Sequence, residues 1–377
     1  MPDCIVVGGG VIGLMTARQL YLQGVDVLLL EKGPLGGESS WAGGGIVSPL
    51  YPWRYADSVN VLAERSKKIY PDLVEKLLQE TGLDCELITS GLFTVIDESL
   101  GDNPQQIADW GKAWSVDMHF INDAGAIREI EKTVGDAVDK GVWMPDIMQI
   151  RNPKFVKALK ASFDQLSIPY REHCAVEEIL VENNKVTGVR TQQETLLADK
   201  VIIASGAWSA QFSVTQASVD VVPVKGQMIM YKGEPDLVKR IVLSQGHYII
   251  PRKDGHILAG STLEKIGFDK TISEEAHEEL HRAAVELVPL LDNLPIERQW
   301  AGLRPGTEKG IPYICQHDDI AGLYIHAGHF RNGIVLGAAS AELITDIVLD
   351  RKPWCDIEPY SLSAQHYLDG NNWMVII

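Results

Sequence analysis

The first thirty-one residues constrain this chain more than any other stretch. Cys4 to Val7 is a short apolar run that ends in Gly8-Gly9-Gly10-Val11-Ile12-Gly13, a G-x-G-x-x-G turn. Gly13, Ala17, Leu20 and Gly24 then recur at helical spacing, with small members that let a helix lie close to a sheet. Val25 to Leu30 reads as a second strand, and it finishes at Glu31, 18 positions after Gly13. The predicted unit is β-α-β. Its glycines let backbone N–H groups approach a pyrophosphate at the positive end of a helix, while an acid such as Glu31 accepts from ribose hydroxyls. Strand, helix, second strand and terminal acid agree, which favours dinucleotide binding over a turn kept for packing alone.

The rest of the chain selects among dinucleotides. After Glu31 there is no further run of βα units, as a nicotinamide dehydrogenase would show. The sequence goes instead to Gly36-Gly37-Glu38-Ser39-Ser40-Trp41-Ala42-Gly43-Gly44-Gly45. A second apolar run, Lys200 to Ile203, stops at Ala204-Ser205-Gly206, as a strand ending beneath a flavin does. FAD is the better reading. Residues 57–80 and 273–288 read as helices with polar faces. Residues 91–97, 221–232 and 245–262 read as strands, with Lys253-Asp254-Gly255 as a hairpin turn and Asn183-Asn184 as another. The expected fold is α/β: a Rossmann-like, two-dinucleotide-binding FAD domain (1–88, 144–220 and 302–377) with an inserted, mostly antiparallel α+β substrate domain (89–143 and 221–301).

Composition excludes other classes. The net charge of −17 disfavours nucleic acid and anionic membranes as partners. Five scattered cysteines form neither a disulfide framework nor a zinc pattern. No apolar stretch approaches the ~20 residues of a membrane span. With no basic leader before the first strand, the expected compartment is the cytoplasm. The apolar tail Trp373 to Ile377 reads as packing on the protein.

Near the carboxyl end stand Ala301-Gly302-Leu303-Arg304-Pro305-Gly306-Thr307 and Ala327-Gly328-His329-Phe330-Arg331-Asn332-Gly333-Ile334. The second opens a helix striped by Gly337, Ala341, Ile344 and Val348. Periodicity alone leaves this helix as either flavin-directed or simply glycine-capped. These motifs, with VVGGGVIG, GGESSWAGGG, VIIASGAWS, PVKGQ and YIIPRKDG, make the chain resemble the D-amino acid oxidase superfamily. Within it, the chain is similar to the FAD-dependent glycine oxidases of thiamine biosynthesis nearly end to end.

The resemblance implies noncovalent FAD contacted by Gly8, Gly10, Val11, Ile12, Gly13, Glu31, Lys32, Ser39, Ser40, Gly44, Gly45 and Ile46. Val176, Ser205, Gly206 and the run His329, Phe330, Arg331, Asn332, Gly333, Ile334 and Val335 would complete the cofactor site. It also implies that Arg304 grips a substrate carboxylate, with Arg331 and Tyr248 as further contacts and Ile46 and Leu263 as small-pocket walls. Without it, the two arginines read as structural ion-pair partners and Tyr248 as strand packing. His247 should face away from Tyr248, and no residue is expected to act as acid or base.

The implied reaction is oxidative deamination of glycine, with sarcosine and small D-amino acids also accepted, reducing O2 to hydrogen peroxide. The alternative is a D-amino acid dehydrogenase feeding a quinone or carrier. Residues 48–55 read either as pocket wall or lid, or as a proline-stiffened surface loop. Homo-oligomers are compatible with the resemblance, although no oligomer seam is legible.

Overall fold

A computed structural model of the chain describes residues 1–97, 101–308 and 310–364. The tail at 373–377 lies outside them. Among the described residues, a six-stranded sheet runs in the order Tyr313–Gln316, Leu323–Ala327, Lys200–Ile203, Cys4–Val7, Val27–Leu30, Tyr170–Arg171. All neighbours are parallel except the Tyr313–Gln316 edge. Every residue of Cys4–Val7 and Val27–Leu30 is buried because both faces are covered. Cys4, Val6, Val27 and Leu29 pack under the helices Val11–Leu22 and Gly333–Val348. Their alternates Ile5, Val7, Leu28 and Leu30 meet Ile179, Val186 and Val189 of a three-stranded meander. Asn183 and Asn184 both adopt positive φ (49° and 58°), which closes the Val176–Glu182/Lys185–Thr191 hairpin.

The second sheet has eight strands, in the order Ile296–Gly306, Val222–Lys232, His256–Gly260, His247–Pro251, Ile241–Ser244, Leu92–Val95, Gly141–Met144, His119–Ile121. Ile241–Ser244 and Leu92–Val95 run parallel, and the other pairs are antiparallel. Alternation sorts its two faces. Ile229, Tyr231, Ile249 and Ile257 pack with Leu280 and Ala284 of the helix Glu274–Leu287. Met228, Tyr248, Ile250 and Leu258 turn the other way, onto Ile46, Leu50 and Tyr51. That second face looks toward the glycine-rich segment.

The expected change of unit at 301/302 falls inside the strand Ile296–Gly306. Its ladder with Val222–Lys232 continues through Pro305, which sits opposite Pro223.

Candidate active site

The crevice follows from the topology. Cys4–Val7, Val27–Leu30, Lys200–Ile203 and Leu323–Ala327 all end at one rim, and the residues after them, Gly8, Glu31, Ala204 and Gly328, line a cavity of about 400 Å³. The cavity reaches the inner face of the eight-stranded sheet at Gly226, Met228 and Tyr248.

Close packing fixes the entrance turn. Gly8 has φ +116°, and a Cβ on Gly13 would strike the carbonyl of Gly8. The helix Val11–Leu22 starts at Gly10 with no side-chain cap, leaving its positive end at the cavity. Val11 N–H donates to Ser40 Oγ (2.8 Å). Glu31 is pinned by its own neighbourhood: Oε2 accepts from Gly9 N–H at 2.6 Å and Oε1 from Gly33 N–H at 2.8 Å. Lys32 lies over the Trp208 ring, 3.0 Å from its centroid. Burial lowers the Lys32 pKa, against the opposing pull of Glu38 and Glu31.

The far end is cationic. Arg304 donates to Ser261 Oγ (2.6 Å) and to the Thr262 carbonyl (3.2 Å). It makes no ion pair among the described residues. Burial, then the charge of Arg331, pushes its pKa down to about 10. Tyr248 is 7% exposed and stands against Gly44, whose added Cβ would lie 3.2 Å from Tyr248 Cε2. His247 points to the other side, 3.9 Å from Glu279. Behind this wall, Arg252 donates to Gln149 Oε1 (2.7 Å) and the Gly44 carbonyl (2.6 Å).

Most residues singled out from sequence share this one cavity: Gly8, Gly10, Val11, Ile12, Glu31, Lys32, Ser39, Ser40, Gly44–Ile46, Val176, Ser205, Gly206, Tyr248, Arg304 and 329–334. Gly13, Leu263 and Val335 are not on its wall. Gly13 is spent on contact with Gly8, and Val335 belongs to the helix core. Leu263 follows the end of the strand His256–Gly260, where two-residue alternation no longer sets which face a side chain takes. Sequence reading passed over Gly226, Met228, Ser261, Asn152 and Trp208. Period-two counting along Val222–Lys232 would have placed Gly226 and Met228 on one face. Ser48 and Leu50 line the cavity, while Tyr51 is 1% exposed and packs behind them. Arg54 is paired with Asp102 at 2.6 Å.

A profile of the family described as FAD dependent oxidoreductase matches residues 3–347. The chain belongs to that family. It is 44% identical over 359 residues to a glycine oxidase of Pseudomonas aeruginosa, covering 95% of this chain and 97% of that one. A bifunctional protein ThiO/ThiG of Trichormus variabilis is 29% identical, over 93% of this chain and 53% of that protein. The crystal structure of glycine oxidase from Geobacillus kaustophilus superposes with a TM-score of 0.92 at 29% identity, covering 97% and 99% of the two chains.

The family's cofactor is FAD, and the cavity fits it. Its lining runs from the Gly8–Ile12 turn and Glu31 through the 39–46 segment to the inner face of the eight-stranded sheet, and the helix Val11–Leu22 begins on it with no side-chain cap from Gly10. Asn152 gives its Nδ2 to the Ser40 carbonyl (2.9 Å), while its Oδ1 is buried without a hydrogen-bond partner. Among the described residues no helix is long and apolar enough to cross a membrane.

Proposed function

We propose that this chain is a glycine oxidase, converting glycine, water and O2 to glyoxylate, ammonia and hydrogen peroxide. The observation that carries the reading is Arg304: a guanidinium on the wall of the flavin cavity that, among the described residues, donates to neutral oxygens and pairs with no carboxylate. A half-buried cation with no carboxylate beside it is left for a ligand to complete. An amino acid's carboxylate does so, and the planar fork accepts it bidentately. Tyr248 offers a hydroxyl beside it, and Ile46 and Met228 leave little room for a substrate side chain. Arg331 adds positive charge at the same end. Held there, the substrate is fixed in orientation, an effect of several kcal/mol on the barrier.

FAD, when bound through the Gly8–Ile12 turn, Glu31 and the 39–46 and 329–334 segments, supplies the two-electron acceptor that oxygen regenerates. The protein contributes no evident acid or base. His326 and His329 at this cavity are kept neutral, their pKa values lowered by burial, that of His329 to about 3. Glycine enters as a zwitterion, and water outside the grip of Arg304 takes the ammonium proton. FAD is held noncovalently in this reading. Its product suits a route such as thiazole formation for thiamine, in keeping with the ThiO/ThiG relatives.

Anaerobic mixing of the yellow holoenzyme with glycine, sarcosine, D-alanine and D-proline tests the assignment. Bleaching by glycine, with colour and peroxide returning in air, is the expected result. An unbleached flavin would overturn the substrate assignment, and bleaching without rapid reoxidation would overturn the oxidase assignment.

A further inference from the structure

Arg304 owes its place to a second group one layer back. Its two acceptors, Ser261 Oγ and the Thr262 carbonyl, belong to a short segment just past the regular strand His256–Gly260 that still bonds to Val222–Lys232. Thr262 is the link. Its hydroxyl donates to Glu264 Oε1 at 2.6 Å and accepts from Gln227 N–H at 2.9 Å. Glu264 Oε1 also accepts from Gln227 Nε2 (2.9 Å), and Oε2 meets Lys225 Nζ at 3.1 Å. Two backbone hydrogen bonds of 2.9 Å join Lys225 and Glu264 in both directions. Lys225 is 2% exposed, so this is a buried ammonium whose partner is a carboxylate on the same knot. Burial pushes the Glu264 carboxyl up, yet hydrogen bonds from Thr262, Gln227 and Lys225 bring it below its usual range.

We propose that Glu264 is a positioning residue for Arg304: its carboxylate, tied to Lys225, fixes Thr262 and Ser261, and their oxygens hold the guanidinium in place for the substrate. The proposal rests on the reading of Arg304 as the carboxylate-binding group. Glu264 does not touch the cavity, so it acts through Arg304 alone. Neutralising it removes the carboxylate partner of Lys225, leaving its bond to the Thr271 carbonyl, and loosens Thr262, while every group on the cavity wall keeps its identity.

The test is a double-mutant cycle on the holoenzyme, with Glu264→Gln, Arg304→Lys and both together. The probe is acetate, a carboxylate with no amine to oxidise, titrated by its perturbation of the flavin visible spectrum. KM and kcat for glycine, FAD affinity and Tm are measured alongside. Glu264→Gln is expected to raise the acetate Kd and the glycine KM together, by roughly fivefold or more, with kcat changed less than about twofold. In the Arg304→Lys background the same substitution is expected to add less than about twofold.

A lowered Tm with wild-type Kd and KM would reduce Glu264 to a structural role and overturn the proposal. An equal shift in both backgrounds would overturn it too, by showing that Glu264 acts without Arg304. If Arg304→Lys itself leaves acetate binding intact, the carboxylate reading falls, and that failure is visible separately. Should Glu264→Gln not fold, Thr262→Val removes only the linking hydroxyl. It is expected to raise both constants, and unchanged constants would overturn the proposal.

Discussion

Gly226 sits in the strand Val222–Lys232 beneath the guanidinium of Arg304, and replacing it with alanine tests the anion site with one methyl group. A Cβ built there falls well under 3.0 Å from Nη1, Nη2 and Cζ of Arg304 at once, whereas ordinary contact begins near 3.4 Å. Gly226 is not among the positive-φ glycines, so alanine suits the backbone and the clash falls on the guanidinium. Moving that group by about 1 Å stretches or breaks its 2.6 Å and 3.2 Å hydrogen bonds to Ser261 and Thr262. Hydrogen bonds to charged groups contribute about 1.5–3 kcal/mol, and about 1.4 kcal/mol is a factor of ten. Gly226→Ala is therefore expected to lower kcat/KM for glycine about tenfold to 150-fold, mostly through KM. Steady-state peroxide release measures this, with FAD content and Tm as controls for folding. A variant that folds, keeps its flavin and shows wild-type KM would refute the reasoning, because the guanidinium would then not be needed where it lies.

Gly13→Ala is a different kind of glycine change, since its Cβ meets the backbone carbonyl of Gly8 rather than a movable side chain. Expected are a lowered Tm, reflecting an overpacking cost of about 1–3 kcal/mol or more, and loss of bound FAD on purification. The Arg54–Asp102 pair has side chains only 13% and 2% exposed, and Arg54 also lies over the Tyr51 ring. Asp102→Ala removes the carboxylate that accepts from Arg54 and from Trp53 Nε1 and is expected to cost about 1.5–3 kcal/mol in denaturant unfolding. It should also change the glycine KM through Ser48 and Leu50, which line the cavity in the same segment. For pH, His329 has a folded pKa near 3 against an ordinary 6.5, so only the unfolded chain gains that proton between those values. Stability is thus full above about pH 6.5 and falls as pH drops toward 3, by up to about 1.4 kcal/mol per pH unit for each such histidine. His326, shifted the same way, adds to the slope, and His326→Phe is expected to remove its share in unfolding measured across that range.

How much of this was legible depended on whether a local pattern carried the information. The β-α-β start was fully legible because hydrophobic period, glycine spacing and the terminal acid all act within thirty residues. The Asp254-Gly255 and Asn183-Asn184 turns were legible for the same reason: both need positive φ at short range, and Asn183, Asn184 and Gly255 supply it. The faces of the eight-stranded sheet followed from alternation, which correctly sets His247 apart from Tyr248. What alternation cannot reach is a segment past the end of the regular strand. Leu263 was placed by resemblance on the pocket wall, whereas its neighbours Ser261 and Thr262 carry the polar contacts there. The unit boundary set at 301/302 lies within the strand Ile296–Gly306, whose ladder with Val222–Lys232 spans it.

The arginines show why resemblance was needed at the site itself. Read singly, Arg304 looks like an ion-pair partner, as guanidinium groups withdrawn from water mostly are; Arg252, to which the sequence reading gave no role, bonds to the Gly44 carbonyl behind the cavity wall. The structure surrounds each with neutral acceptors instead: a serine hydroxyl and a carbonyl for one, a glutamine and two carbonyls for the other. The acids that compensate them stand one residue further out, Glu264 behind Arg304, and Glu86 and Asp254 behind Arg252 through Arg151. Such an arrangement solvates each charge well enough to bury it but leaves the positive field at the cavity unspent. A direct carboxylate would cancel that field and compete with the substrate's own. A chain of net charge −17 can therefore still favour an anionic group in this crevice. Acids beyond about 8 Å of aqueous path are screened, while the guanidinium acts at contact and out of water. No spacing rule within one strand encodes that separation of cation from acid, because its members come from Val222–Lys232, Ile296–Gly306 and the segment after Gly260.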